Sequence, residues 1–151
     1  MPESLKTKLW RWGFNFFPAF RGTGAKAIYI SDDFHNVKIK IPFNWRTKNY
    51  VGTIFGGSMF AATDPMYPVM LIKILGPNYI VWDKESNIRY YKPGRTTLFA
   101  SAKLDKSEID EIKDLLGTAS KIDRFYQIEL LDESGIVHAT IDKTVHIRNK
   151  E

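Results

Sequence analysis

The chain has 151 residues, 44% hydrophobic and 26% charged, with 22 Lys plus Arg against 17 Asp plus Glu and a net charge of +5. That is enough for one domain with a substantial core, and the balance is that of an ordinary globular protein rather than a disordered or fibrous one. There is no cysteine, which excludes disulfides, thiolate nucleophiles and cysteine metal sites, and the basic residues are spread out instead of forming the stripe expected of a nucleic-acid binder.

Residues 4–17 predict a short aromatic helix, stopped by Pro18 and the Gly22-Thr23-Gly24 turn. Lys6, Lys8 and Arg11 flank this segment, but its apolar run is too short and interrupted for a signal-peptide core. Its aromatic residues are expected to pack on the sheet or help close an apolar pocket. Residues 25–31 read as a strand in which Ala25, Ala27 and Tyr29 alternate with Lys26, Ile28 and Ile30, and Asp32-Asp33 makes a turn. Residues 35–42 form a half-buried antiparallel strand with Val37, Ile39 and Ile41 on one face. A long loop follows, then an apolar helix over 57–75 in which Pro65 is expected to start a second helical segment. Asp64, Pro65, Pro68 and Lys73 make this segment a poor membrane span, so a cytoplasmic soluble protein is expected.

The remainder is mostly β. Strands are predicted over 79–91 and 96–104, separated by Lys92-Pro93-Gly94-Arg95. An acidic amphipathic helix over 107–116 has Ser107 as N-cap and Ile109, Ile112, Leu115 and Leu116 as its stripe. A hairpin joins 124–131 to 136–147 around Asp132-Glu133-Ser134-Gly135. The order predicts an α+β fold, an antiparallel sheet of about six strands wrapped around one long central helix, with an extra N-terminal helix. We read residues 1–151 as a single domain, of which 1–22 is the aromatic helical segment. One helix covers only part of such a sheet, so a homodimer is the expected minimum unit.

The segment Asn49-Tyr50-Val51-Gly52-Thr53-Ile54-Phe55-Gly56-Gly57-Ser58, with Asp64 beyond it, is the candidate site. Two glycines at a loop–helix junction let backbone approach a ligand, and the first N–H groups of a helix have no partners within it. Asp64 could serve there as a base or nucleophile, its pKa raised by burial among Met59, Phe60, Ala61, Ala62 and Met66; it could equally N-cap the segment that Pro65 opens. Asn49 reads as a turn residue or a site residue, Ser58 as a helix-start residue, and Asp83 as a solvated strand position beside Lys84 and Glu85. His35, His138 and His146 lack ligand spacing, so no metal site is expected.

Asn49-x-x-Gly52-Thr53-Ile54-x-Gly56-Gly57 with Asp64 resembles the hotdog-fold acyl-CoA thioesterases of the phenylacetyl-CoA thioesterase type. Asp64-Pro65, Val81-Trp82-Asp83 and the run from Ile88 to Gly94 look still more like an uncharacterised branch of that superfamily, the domain of unknown function DUF4442. The resemblance covers roughly residues 18–147. It implies that Asn49 lies near the thioester carbonyl, that the Gly57 N–H polarises its oxygen, and that Asp64 is the catalytic carboxylate in a site built from both protomers. It also puts Asp83 where some relatives carry a hydroxyl that assists water. The family's histidine before the two glycines is Phe55 here, which could instead wall an acyl pocket.

The expected function is therefore acyl-CoA thioester hydrolysis by a dimer or tetramer, with Asp64, Gly57 and Asn49 catalytic. Phe55, Gly56, Ser58, Asp83, Arg89 and Arg95 are candidate substrate contacts, with Arg46, Lys48 and Lys92 as further candidates for the phosphates of coenzyme A. No cofactor is expected apart from the coenzyme A moiety of the substrate, and neither nucleic acid nor a membrane span. The alternative is a non-catalytic acyl-CoA or fatty-acyl binding protein on the same fold, motivated by Phe55. A dehydratase is a third reading, weakened because no histidine lies near the motif.

Overall fold

The computed structural model describes residues 2–150. Two helices come first, α1 (Leu5–Phe16) and α2 (Pro18–Gly22), then strands β1 (Lys26–Ile30) and β2 (Asn36–Ile41). The helical segment of the core is α3 (Gly56–Thr63) and α4 (Met66–Leu75). It is followed by β3 (Tyr79–Tyr90), β4 (Leu98–Lys103), α5 (Lys106–Thr118), β5 (Lys121–Leu131) and β6 (Val137–Asn149). The strands form one six-stranded sheet in the order β1-β2-β4-β5-β6-β3, with every neighbouring pair antiparallel.

The inner face of the sheet follows the two-residue period of its strands. Ile39 and Ile41 of β2, Leu98 and Ala100 of β4, Ile128 and Leu130 of β5, and Ile141, Val145 and Ile147 of β6 are all buried. Against them α3 and α4 place Met59, Ala62, Met66, Met70 and Leu71. This is the wrapped central helix expected from the sequence, divided at Asp64-Pro65 as the proline required. Pro65 caps α4, and Pro68 falls in its first turn, where a missing N–H breaks no bond within α4.

Several local expectations are corrected. α1 stops at Phe16 ahead of Pro18 as expected, but Pro18 also opens the short α2 as its first residue, a position that tolerates proline. A register shift between Ala27 and Tyr29 breaks the alternation of β1, so Ala27 and Ile30 are both buried. The N-cap of α5 is Asp105 rather than Ser107, and Leu115 is exposed while Ile109, Ile112 and Leu116 are buried. Of the N-terminal aromatics, Phe20 is buried and Phe14 packs on the core, whereas Trp12, Phe16 and Phe17 are exposed. The three histidines bond to protein oxygens: His35 to the Leu104 carbonyl, His138 to Asp132 and His146 to Asp123.

One charged network joins α5 to the sheet. Arg124 of β5 meets Glu108 at 2.6 Å and Glu111 at 2.9 Å, and the Tyr126 hydroxyl donates to Glu108 at 2.7 Å. Burial alone would raise the Glu108 carboxyl, but the hydrogen bonds from Arg124 and Tyr126 outweigh it and hold the group below its ordinary range. A carboxylate depressed in this way stabilises the fold fully above its unfolded pKa of about 4.3, and less as pH falls through the folded value. Glu108→Gln is expected to cost about 2 kcal/mol at pH 7, and the gap from wild type should narrow as pH falls toward 3. Denaturant titrations at the two pH values check this, and equal losses at both would exclude the network as the cause.

Candidate active site

The loop before α3 is built by Asn49. Its side-chain oxygen accepts from the Val51 and Thr53 N–H groups at 3.1 and 3.0 Å, and its amide donates to the Thr53 hydroxyl at 2.9 Å. Gly52, at φ +79°, makes the turn that these bonds close. The Asn49 side chain thus does what its turn reading required, and it also lines a cleft of about 390 Å³ with Gly56, Tyr90 and Lys92.

Phe55 is the N-cap of α3, and no side chain caps the helix. Its N–H donates to the Thr47 carbonyl, and its own carbonyl accepts from Ser58 and Met59. Among the described residues, no main-chain carbonyl takes up the Gly56 or Gly57 N–H. Both glycines lie directly under aromatic rings. A Cβ on Gly57 would stand 2.3 Å from the exposed Phe55 ring, and one on Gly56 would stand 2.6 Å from the Tyr90 hydroxyl oxygen. The helix start therefore presents bare N–H groups between two aromatic side chains.

Asp64 ends α3 with helical dihedrals, φ −51° and ψ −50°, and its side chain caps nothing. It is 59% exposed, so the burial expected for it is not found. Helical phase decides this: Met59, Ala62 and Thr63 form the buried side of α3, and Asp64 falls on the outward side with Phe60 and Ala61. Asp64 lines an apolar groove of about 450 Å³ shared with Phe14, Phe17, Phe20, Phe60 and Val69.

The buried carboxylate is Asp83. Its side chain is 18% exposed, on β3 beside a register shift, so although β3 is an edge strand this position is not solvated as Lys84 and Glu85 suggested. Lys143 of β6, with a side chain only 1% exposed, meets Asp83 Oδ2 at 2.6 Å and Asp64 Oδ1 at 3.6 Å. Its ammonium also donates to the Asp64 carbonyl at 2.8 Å. That carbonyl is free because its helical partner would be the N–H of residue 68, which is proline. Burial pushes the Asp83 carboxyl up, Lys143 opposes the push, and Asp64 adds to it.

Lys143 escaped the sequence reading, although a signal was present. Ala139, Ile141, Val145 and Ile147 are the buried phase of β6, and Lys143 shares it. Of the basic candidates, Lys92 lines the cleft beside Gly56, Arg46 donates to the Arg21 carbonyl, and Lys48 stands over the Phe43 ring. Arg89 lies on β3 opposite Thr140, and Arg95 is exposed in the following loop. The protomer thus joins Asp64, Asp83 and Lys143 at one end of α3, and Asn49, Phe55, Gly56 and Gly57 at the other. Gly57 and Asp64 are seven residue steps apart along the helix, roughly 10 Å at the α-helical rise.

A six-stranded antiparallel sheet wrapped around a central helical segment is the hotdog fold. The chain belongs to the family described as a domain of unknown function, DUF4442, whose model matches residues 7–147. Among solved structures it is similar to a protein of unknown function from Pseudomonas aeruginosa described as a probable thioesterase, with 22% identity over 99% of each chain and a TM-score of 0.84. A protein of unknown function from Chlorobaculum tepidum TLS is 14% identical, over 96% of this chain and 95% of that one, with a TM-score of 0.77. A thioesterase from Haemophilus influenzae is 14% identical, over 97% and 93%, with a TM-score of 0.71. At these identities the likeness establishes the fold. No curated protein matches the chain. Among the described residues, no helix is long and apolar enough to cross a membrane.

Proposed function

We propose that the protein hydrolyses the thioester of an acyl-CoA and does so as a homodimer, or a tetramer of two such dimers. The observation that carries the reading is the start of α3, where the Gly57 N–H has no carbonyl partner, together with a carboxylate at the end of the same helix. The N–H would hold the thioester oxygen as negative charge develops on it. Asp64 would direct water at the acyl carbon or attack it. The apolar groove beside Asp64 suits the acyl chain. Lys92 in the cleft, with Arg89 and Arg95, would meet the phosphates of the coenzyme A moiety. Asn49 keeps one amide hydrogen beyond its bond to Thr53, enough to orient the thioester or the water.

The distance along α3 supports the oligomer. Roughly 10 Å is too far for one protomer's Gly57 and Asp64 to touch the same carbonyl, so the two groups at one substrate come from different protomers. Strand β3 is the last in the sheet, twelve residues long with an exposed Trp82, and it offers an edge for a second copy to pair with.

The primary test is thiol release from short, medium, long and aromatic acyl-CoA substrates. Mixing Gly57→Ala and Asp64→Asn chains tests the shared site. Each variant alone is expected to be nearly inactive, and mixed dimers should regain activity through one intact site. A mixture as inactive as its parts would exclude the shared site, as would a single species of monomer mass in solution. The second reading, an acyl-CoA binder without turnover, draws on the exposed Phe55 ring over Gly57, at the position where the thioesterase motif that the sequence resembles has a histidine. Calorimetric binding of an acyl-CoA with no thiol release from any substrate would favour it.

A further inference from the structure

Lys143 has no part in the reaction as described, yet it is the most deeply buried cation that the site touches, its side chain 1% exposed. A lysine in that position is costly unless it is fully paired, and replacing it by an apolar residue is often neutral or stabilising. Its three donors explain its presence better than stability does. One goes to Asp83 Oδ2 at 2.6 Å, one to the Asp64 carbonyl at 2.8 Å, and the ammonium stands 3.6 Å from Asp64 Oδ1. The Asp64 carbonyl is available only because residue 68 is a proline. Asp83 Oδ1 is buried and has no hydrogen-bond partner among the described residues, so the lysine satisfies one oxygen of that carboxylate and leaves the other.

We propose that Lys143 is a positioning residue of this centre: it clamps Asp83 of β3 to the end of α3 and so sets where the Asp64 carboxylate stands. The catalytic meaning of the clamp rests on the thioesterase reading, but the clamp itself does not. The charged groups acting on Asp83 are Lys143 from β6 and Asp64 from the end of α3, one attractive and one repulsive. Removing the ammonium should therefore raise the pH at which Asp83 titrates, and removing the Asp64 charge should lower it.

The test follows the Asp83 carboxyl by carbon NMR in wild type, Lys143→Met, Lys143→Arg and Asp64→Ala, alongside the pH profile of thiol release. Lys143→Met is expected to raise the Asp83 midpoint by about one to three pH units, with Lys143→Arg returning it most of the way. The acidic limb of kcat/KM should move in the same direction. Asp64→Ala changes an exposed side chain and serves even if Lys143→Met does not fold; it is expected to lower the Asp83 midpoint. Midpoints unmoved in both variants overturn the clamp, even in an active enzyme. A pH profile that stays put while the midpoint moves overturns the positioning role. A wild type that turns over no thioester, with Asp83 still responding to both variants, retains the clamp and sinks the hydrolase reading alone.

Discussion

Asp64→Asn is expected to lower acyl-CoA hydrolysis by about 10²–10⁴-fold, the usual contribution of a positioned acid–base group, while leaving the protein folded. The amide matches the carboxylate in shape but neither takes a proton near neutral pH nor attacks a carbonyl. Little stability is at stake. The side chain is 59% exposed and caps no helix, and its pair with Lys143 is long at 3.6 Å. The stronger contact, from the Lys143 ammonium to the Asp64 carbonyl, belongs to the backbone and survives the substitution. The measurement is kcat/KM for the best acyl-CoA beside the unfolding midpoint of each protein. Turnover equal to wild type would remove Asp64 from the mechanism.

Gly57→Ala tests the other end of the helix. The added methyl would stand 2.3 Å from the Phe55 ring, so either the ring or the helix start must shift. Phe55 is exposed and can swing aside, so the unfolding midpoint should change little. The N–H that would hold the thioester oxygen tolerates less. Misplacing a catalytic group by about 1 Å can cost 10²-fold, and losing an oxyanion donor costs about 10²–10³-fold. We expect a fall of about 10²-fold in kcat, most of it recovered in Phe55→Ala/Gly57→Ala, where the obstructing ring is gone. Full activity in the single variant would place the oxyanion site elsewhere.

The two ends of α3 were unequally legible. The Asn49–Gly57 end is local: a turn residue, a positive-φ glycine and two glycines at a helix start act within a few positions of one another, so their order in the chain already implies their geometry. The Asp64 end is not local. Asp64 was expected inside an apolar environment, because its neighbours in sequence are apolar; the helix turns Met59, Ala62 and Met66 inward and leaves Asp64 on the outward side with Phe60 and Ala61. Asp83 was expected in solvent, because Lys84 and Glu85 adjoin it; strand alternation turns it away from Lys84, the register shift that follows turns it away from Glu85, and a lysine sixty positions later meets it there. The environments of the two carboxylates are thus the reverse of what their sequence neighbours implied.

The sequence by itself determined the periodicities, and with them the α+β architecture, the division of the central helix at Pro65 and the helix start at Gly56-Gly57. Each depends on side-chain spacing or on the restricted backbone of proline and glycine, which act over one or two turns. Only the tertiary structure decided that Lys143 holds Asp83 and the Asp64 carbonyl together, and that Asp64 opens onto an apolar groove under the N-terminal helices. Such pairings depend on which strands lie side by side and on the register between them. Alternation can mark a lysine as inward-facing, but it takes the packed sheet and helix to supply its partners.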